Sequence, residues 1–170
     1  MTTLTQPLHD EHKELFPHVE RIREVAEKVC DGPIGEIRSG VEESYEFLVH
    51  HLVAHAQAED EALYPVVQKV LGSPLATKTM SRDHIEIGRY IEELATLKKE
   101  LNGKALMAPQ AQALQRVLYG LYALLKLHFA KEEEVYLPIL DQRLSAEAAR
   151  EMFENMEAAA QRAKYALHAA

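Results

Sequence analysis

The sequence predicts an all-α protein, an up-down-up-down four-helix bundle with an additional C-terminal helix. Three observations predict it. Gly and Pro number only seven each in 170 residues and Trp is absent, while the strong helix formers Ala, Leu, Glu and Lys are plentiful. Apolar residues recur every three or four positions over long stretches, the period of a helix with one buried face. Turn signals are few, so four long segments are joined by short connections, and these pack most simply as an antiparallel bundle. The length suits one domain, residues 1–170, with enough chain to bury a core.

The first helix is expected to start near Thr5, with Pro7 in its first turn, where a missing N–H costs little. Leu15, Val19, Ile22, Val25, Ala26 and Val29 mark its inner face, Pro17 should kink it, and Asp31-Gly32-Pro33 stops it. The second runs from about residue 34 or 36 to 71, with a possible kink at Pro65 and closure at Gly72-Ser73-Pro74. Its stripe is Val41, Tyr45, Leu48, Leu52, His55, Glu59 and Leu63. The third covers about 75–101 through Met80, His84, Ile87, Ile91, Leu94 and Leu97, with Asn102-Gly103 as a left-handed cap. The fourth begins at Pro109 and reaches about Leu140, carrying Leu114, Val117, Leu121, Leu125, His128, Glu132 and Val135 inward. The bundle thus spans about 5–141. Ser145 caps a fifth helix, about 146–168, whose modest stripe of Met152, Met156 and Ala159 suits an element lying against the bundle.

A net charge of −8 argues against a nucleic-acid partner, whose phosphates such a surface repels. Cys30 is the only cysteine, which excludes an intrachain disulfide and a cysteine-rich metal site. The N-terminus lacks the basic start and apolar run of a signal peptide. No apolar stretch approaches the roughly 18 residues of a membrane span. A soluble cytoplasmic protein without a membrane partner is expected.

The chemistry lies in a repeat. His55 to Pro65 reads HAQAEDEALYP and His128 to Pro138 reads HFAKEEEVYLP. Each pairs a histidine with a glutamate four residues on, Glu59 and Glu132, which share a helix face. Upstream, Glu11-His12 and Asp83-His84 precede these histidines by 43 and 44 residues. One His-x-x-x-Glu is weak; two copies at matched distances from an acid-His pair are specific. In an antiparallel bundle His12, His55, Glu59, His84, His128 and Glu132 arrive at one height, one set from each pair of helices. Glutamate on a stripe of Leu, Ile and Val must be paired or bound to metal. Four imidazoles and two carboxylates are too many for one ordinary ion and suit two metals bridged by Glu59 and Glu132. The bland reading, polar residues on solvated faces, conflicts with the apolar stripes on which His84, His128 and Glu132 fall.

On these motifs, with Leu63-Tyr64-Pro65 and Tyr136-Leu137-Pro138 beside them, residues 8–140 resemble the hemerythrin-like proteins, the HHE cation-binding domain family. The resemblance implies a four-helix bundle around a non-haem di-iron centre, two iron ions with an oxo or hydroxo bridge. His12, His55, His84 and His128 would be terminal ligands, and Glu59 and Glu132 bridging carboxylates. Oxygen-carrying hemerythrins have a further histidine where this chain has Gly88, and an aspartate at the position of Glu133. These departures set the chain among the broader HHE-type proteins.

His51, one turn from His55, is a possible additional ligand, filling the layer that Gly88 leaves open. His9 is expected to be exposed near the chain start, and His18, His50 and His168 to face solvent. Asp60, Glu61, Glu133 and Glu134 read as outer charges, and Tyr45, Tyr64, Tyr122 and Tyr136 as core or supporting groups. The expected partner is a small ligand: dioxygen, nitric oxide or peroxide. Two function classes remain open, a di-iron protein that binds or senses such a ligand or handles iron, and a di-iron enzyme acting on peroxide or dioxygen. No nucleophile triad, phosphate loop or nucleotide fingerprint supports another chemistry.

Overall fold

A computed structural model describes residues 3–103 and 105–169, with side chains described to residue 166. His168 therefore lies outside the described side chains. Among the described residues there are five long helices and no strand. Helix α1 is Gln6–Lys28. Helix α2 covers 34–71 as one rod of alternating character: α-helical at Ile34–Phe47, π-helical at Leu48–Leu52, α-helical at Val53–Ala58, π-helical at Glu59–Leu63, and α-helical again at Tyr64–Leu71. Helix α3 is Lys78–Glu100. Helix α4 covers 108–143, with a π turn at Glu132–Tyr136 between Ala108–Lys131 and Leu137–Arg143. Helix α5 is Ala146–Ala169.

Helix α1 packs on α2 and α4, and α3 also packs on α2 and α4, which makes the four-helix ring. Helix α5 lies outside the ring against the middle of α2, burying Met152, Met156 and Ala159 on Ala58 and Ala62. The Ser145 hydroxyl accepts from the Ala148 N–H at 3.2 Å, the cap expected for this helix.

Most of the sequence stripes are buried, including every apolar residue assigned to the inner face of α1. Val135 is a correction: it is 48% exposed, and Leu137 points inward instead at 0%. The π turn is the reason, because its wider turn brings the inward face round at the fifth residue after Glu132 rather than the third or fourth. Pro65 cannot donate to the Glu61 carbonyl, nor Pro138 to that of Glu134, so each proline releases the helical ladder where a π turn closes.

The left-handed cap is also corrected. Gly72, with φ +67°, is the only described residue of positive φ. At the end of α3 the carbonyls are taken by side chains: Arg38 donates to Leu101 O at 2.8 Å and Gly103 O at 3.0 Å, and Asn102 donates to Lys99 O at 2.6 Å. No left-handed residue is then needed to satisfy them.

Two apolar clusters divide the bundle along its length. One contains Leu15, Leu52, Ile87, Leu125 and Phe129. The other contains Leu8, Leu63, Tyr64, Met80, Leu137 and residues of α5. The six candidate ligands form the polar layer between them.

Candidate metal centre

His12 and His84 each sit in the second turn of their helices, α1 and α3. His55 and His128 stand four residues before the π turns, and Glu59 and Glu132 open those turns. Both glutamates are 0% exposed, and His12, His55 and His128 are buried. His84 is the least covered of the four imidazoles, its side chain 9% exposed.

The ligating atoms converge in two groups. Those of His12, His55, Glu59 and Glu132 lie within 4.8 Å of one another, as do those of Glu59, His84 and His128. Glu59 divides between them: Oε1 is 3.0 Å from His55 Nε2 and 3.7 Å from His12 Nε2, whereas Oε2 is 3.2 Å from His84 Nε2 and 3.6 Å from His128 Nε2. Glu132 divides likewise, with Oε2 3.4 Å from His12 Nε2 and Oε1 3.5 Å from His128 Nε2. Each carboxylate therefore turns one oxygen toward each histidine pair.

The opposite ring nitrogens are held by acids. His12 Nδ1 lies 2.6 Å from Glu133, His84 Nδ1 2.8 Å from Asp60, and His128 Nδ1 3.2 Å from Asp83. His55 Nδ1 faces Glu11 at 3.0 Å, a charge contact off the hydrogen-bond direction. This arrangement places the ring proton on Nδ1 and leaves Nε2 as a lone-pair donor to the interior. The fit to a cation shows in the unpaired atoms. His12 Nε2, His55 Nε2, Glu59 Oε1 and Glu132 Oε2 are buried without a hydrogen-bond partner, and all four face the same point. Buried polar atoms are rarely left so.

Without a cation, the layer compensates by protonation. Burial opposes charge on His55, but Glu59 and Glu11 overcome it and hold the imidazole well above its usual range. Burial likewise opposes charge on His128, while Asp83, Glu59 and Glu132 raise it to about 9. Two carboxylates in one dry space do not both ionise freely. Burial raises Glu132, and the Glu59 charge adds to it, to about 7. Burial pushes Glu59 the same way, but His55, His12 and His128 hold it well below the usual carboxylate range.

A family model, the hemerythrin HHE cation binding domain, matches residues 3–140. The chain belongs to the hemerythrin HHE cation-binding domain family. Neither a search of curated proteins nor a search of solved structures found a match. The match covers the four-helix ring and ends before α5. The buried His and Glu cluster of this HHE domain fits a metal site.

The structure brings all six sequence-derived candidates together and leaves His51 outside. His51 is exposed, with its ring 6.5 Å from that of Phe47. His51 lies inside the π turn Leu48–Leu52, whose wider turn breaks the four-residue step that leads from Glu59 to His55. Leu52 and Leu48 carry the buried stripe instead, and a Cβ at Gly88 would meet nothing within 4 Å. His9 is more involved than its position suggests: it is only partly exposed, and its Nδ1 pairs with Glu133.

Sequence spacing does not disclose two further features. The acids of Glu11-His12 and Asp83-His84 hold the histidine of the other motif, His55 and His128, rather than their neighbours. The acids following the glutamates, Asp60 and Glu133, hold His84 and His12 in return. Tyr64 is the second feature. Its hydroxyl donates to Glu132 Oε1 at 2.7 Å and lies 3.3 Å from His128 Nε2. The equivalent place after the other π turn is Leu137, because the second motif reads Tyr-Leu where the first reads Leu-Tyr. Tyr136 consequently points away and donates to the Ala76 carbonyl at 2.9 Å.

Proposed function

We propose that this protein is a dinuclear non-haem iron protein that binds or senses a small ligand such as dioxygen or nitric oxide, or handles iron. The observation that carries the reading is the division of both carboxylates between two histidine pairs. His12 and His55 would hold one ion, His84 and His128 the other, and Glu59 and Glu132 would bridge them. An imidazole-rich set with two carboxylates suits iron among the transition metals. Bound iron supplies reversible redox chemistry toward small oxygen and nitrogen species. The chain's own part is to fix the imidazoles through Glu11, Asp60, Asp83 and Glu133, and to exclude bulk water with the apolar layers on either side. The location proposed with this reading is the cytoplasm.

A second reading, turnover of hydrogen peroxide or dioxygen, is favoured by Tyr64, whose buried O–H holds a proton among the ligating atoms. Burial, with the Glu59 and Glu132 charges, raises that phenol far above its usual range, so it stays protonated at neutral pH. Metal analysis of protein prepared with iron present, with its near-ultraviolet spectrum, tests the first reading: two irons per chain are expected, and one or none overturns it. Peroxide consumption by the iron-loaded protein, abolished in His128→Ala, selects the second.

A further inference from the structure

Beside the metal centre, on the seam between α1 and α4, lies a cavity of about 470 Å³. Its floor is His12 and Phe129, whose rings stack at 4.7 Å. Carbon walls of Phe16, Pro17 and Ala130 rise from that floor, and Lys13 and Lys126 stand at the rim, both exposed, with the Lys126 ammonium also donating to Tyr122 at 2.9 Å and to Glu20 at 3.2 Å. The volume falls within the range of about 300–1,000 Å³ typical of small-molecule sites. Glu133 also lines the space, but its two oxygens face His9 and His12.

The internal repeat supplies a control. On the matching seam between α2 and α3, the positions corresponding to Phe16 and Phe129 are Gly88 and Ala56, and those corresponding to Lys13 and Lys126 are Ile85 and Val53. Both seams flank the same centre with the same histidine geometry, so neither the bundle nor the metal demands two aromatic walls and two ammonium groups. At these four matched positions they occur on this seam, while the α2–α3 seam carries Arg89 at the counterpart of Pro17 and, farther along, Lys98 over the Tyr45 ring. A carbon-lined space with cations at its mouth, in a chain of net charge −8, fits an anionic head on an apolar body.

We propose that this cavity binds a small amphipathic monocarboxylate, its tail against Phe16 and Phe129 and its carboxylate at Lys13 and Lys126. Because His12 forms the floor, the occupant touches the wall of the metal centre without entering it. The proposal goes beyond the di-iron reading and does not require metal to be present.

Octanoate is the probe, titrated calorimetrically into the full chain without added metal, with octylammonium as the control of opposite charge. Saturable one-site binding of octanoate is expected, at least tenfold tighter than that of octylammonium (about 1.4 kcal/mol). Filling the cavity with Ala130→Trp should abolish it. The double variant Lys13→Glu with Lys126→Glu, its helicity checked by circular dichroism because Lys126 also pairs with Glu20, should weaken it at least tenfold. Absence of saturable binding, equal binding of the two probes, or octanoate binding unchanged in the double variant overturns the proposal. Iron stoichiometry is measured separately, so failure here leaves the metal reading standing, and the reverse also holds.

Discussion

Every buried histidine of the centre has one nitrogen engaged by an acid and the other turned inward. Asp83 illustrates the arrangement: it holds His128 Nδ1 at 3.2 Å and is itself clamped by Lys131. Replacing it with Asn keeps the shape but removes the charge that fixes and polarises the imidazole. Asp83→Asn should lower metal affinity by about 10- to 100-fold, as losses of such outer partners do, with helicity unchanged; competition with a chelator measures it, and unchanged affinity refutes the role. The protons of the layer make a second prediction. His128 titrates at about 9 against an ordinary value of roughly 6.5, so its pairing with the acids stabilises the metal-free fold fully below about pH 6.5. That contribution is lost as pH rises through about 9. A metal needs the neutral imidazole, so loading at pH 7 should release protons, and apparent affinity should climb with pH toward 9. Proton uptake on loading, or affinity that falls over that interval, contradicts the assignment.

At the level of the helices, periodicity discloses the stripes but not their interruptions. A period of 3.6 places Val135 after Glu132, whereas the protein buries Leu137, because one π turn shifts everything downstream. The same shift makes Tyr64 rather than only Leu63 an inward residue, and hence brings a hydroxyl to Glu132. The His-to-Pro motif contains the cause, since each proline removes a helical hydrogen bond, but spacing alone does not distinguish a kink from a widened turn. Glycines separate two further local effects. A Cβ at Gly88, inside α3, meets nothing within 4 Å. Gly88→Ala should therefore stabilise the metal-free protein by about 0.5–1 kcal/mol through helix propensity. Gly72 closes α2 at φ +67°, and Gly72→Ala should destabilise by about 1 kcal/mol. Chemical denaturation checks both, and the same sign for the two substitutions defeats the explanation.

For the whole molecule, the repeat that made the ligands legible also sets their height. His12 and His84 begin the two halves and His55 and His128 complete them, so four helices deliver six side chains to one layer. What the repeat could not disclose are its departures from symmetry, Tyr64 opposite Leu137 and the contents of the two seams, because these depend on which side chains fill space around a common frame. Helix α5 is the largest departure, lying beyond the residues matched by the family and packing chiefly on α2. It covers the stretch of α2 that includes the π turn of Glu59, placing Met152, Met156 and Ala159 against Ala58 and Ala62. Arg162 adds an ion pair to Glu61 at 2.6 Å. Two buried methionines, at about 1.5–3 kcal/mol each, with the alanines beside them, amount to on the order of 5 kcal/mol. A chain ending after Arg143 should therefore remain helical but unfold at a clearly lower denaturant concentration. It should also retain less metal, since the turn that opens at Glu59 would lose its cover. Denaturation midpoint and metal content of the shortened protein decide the matter. A midpoint and iron content equal to those of the full chain would show that α5 neither stabilises the bundle nor supports Glu59.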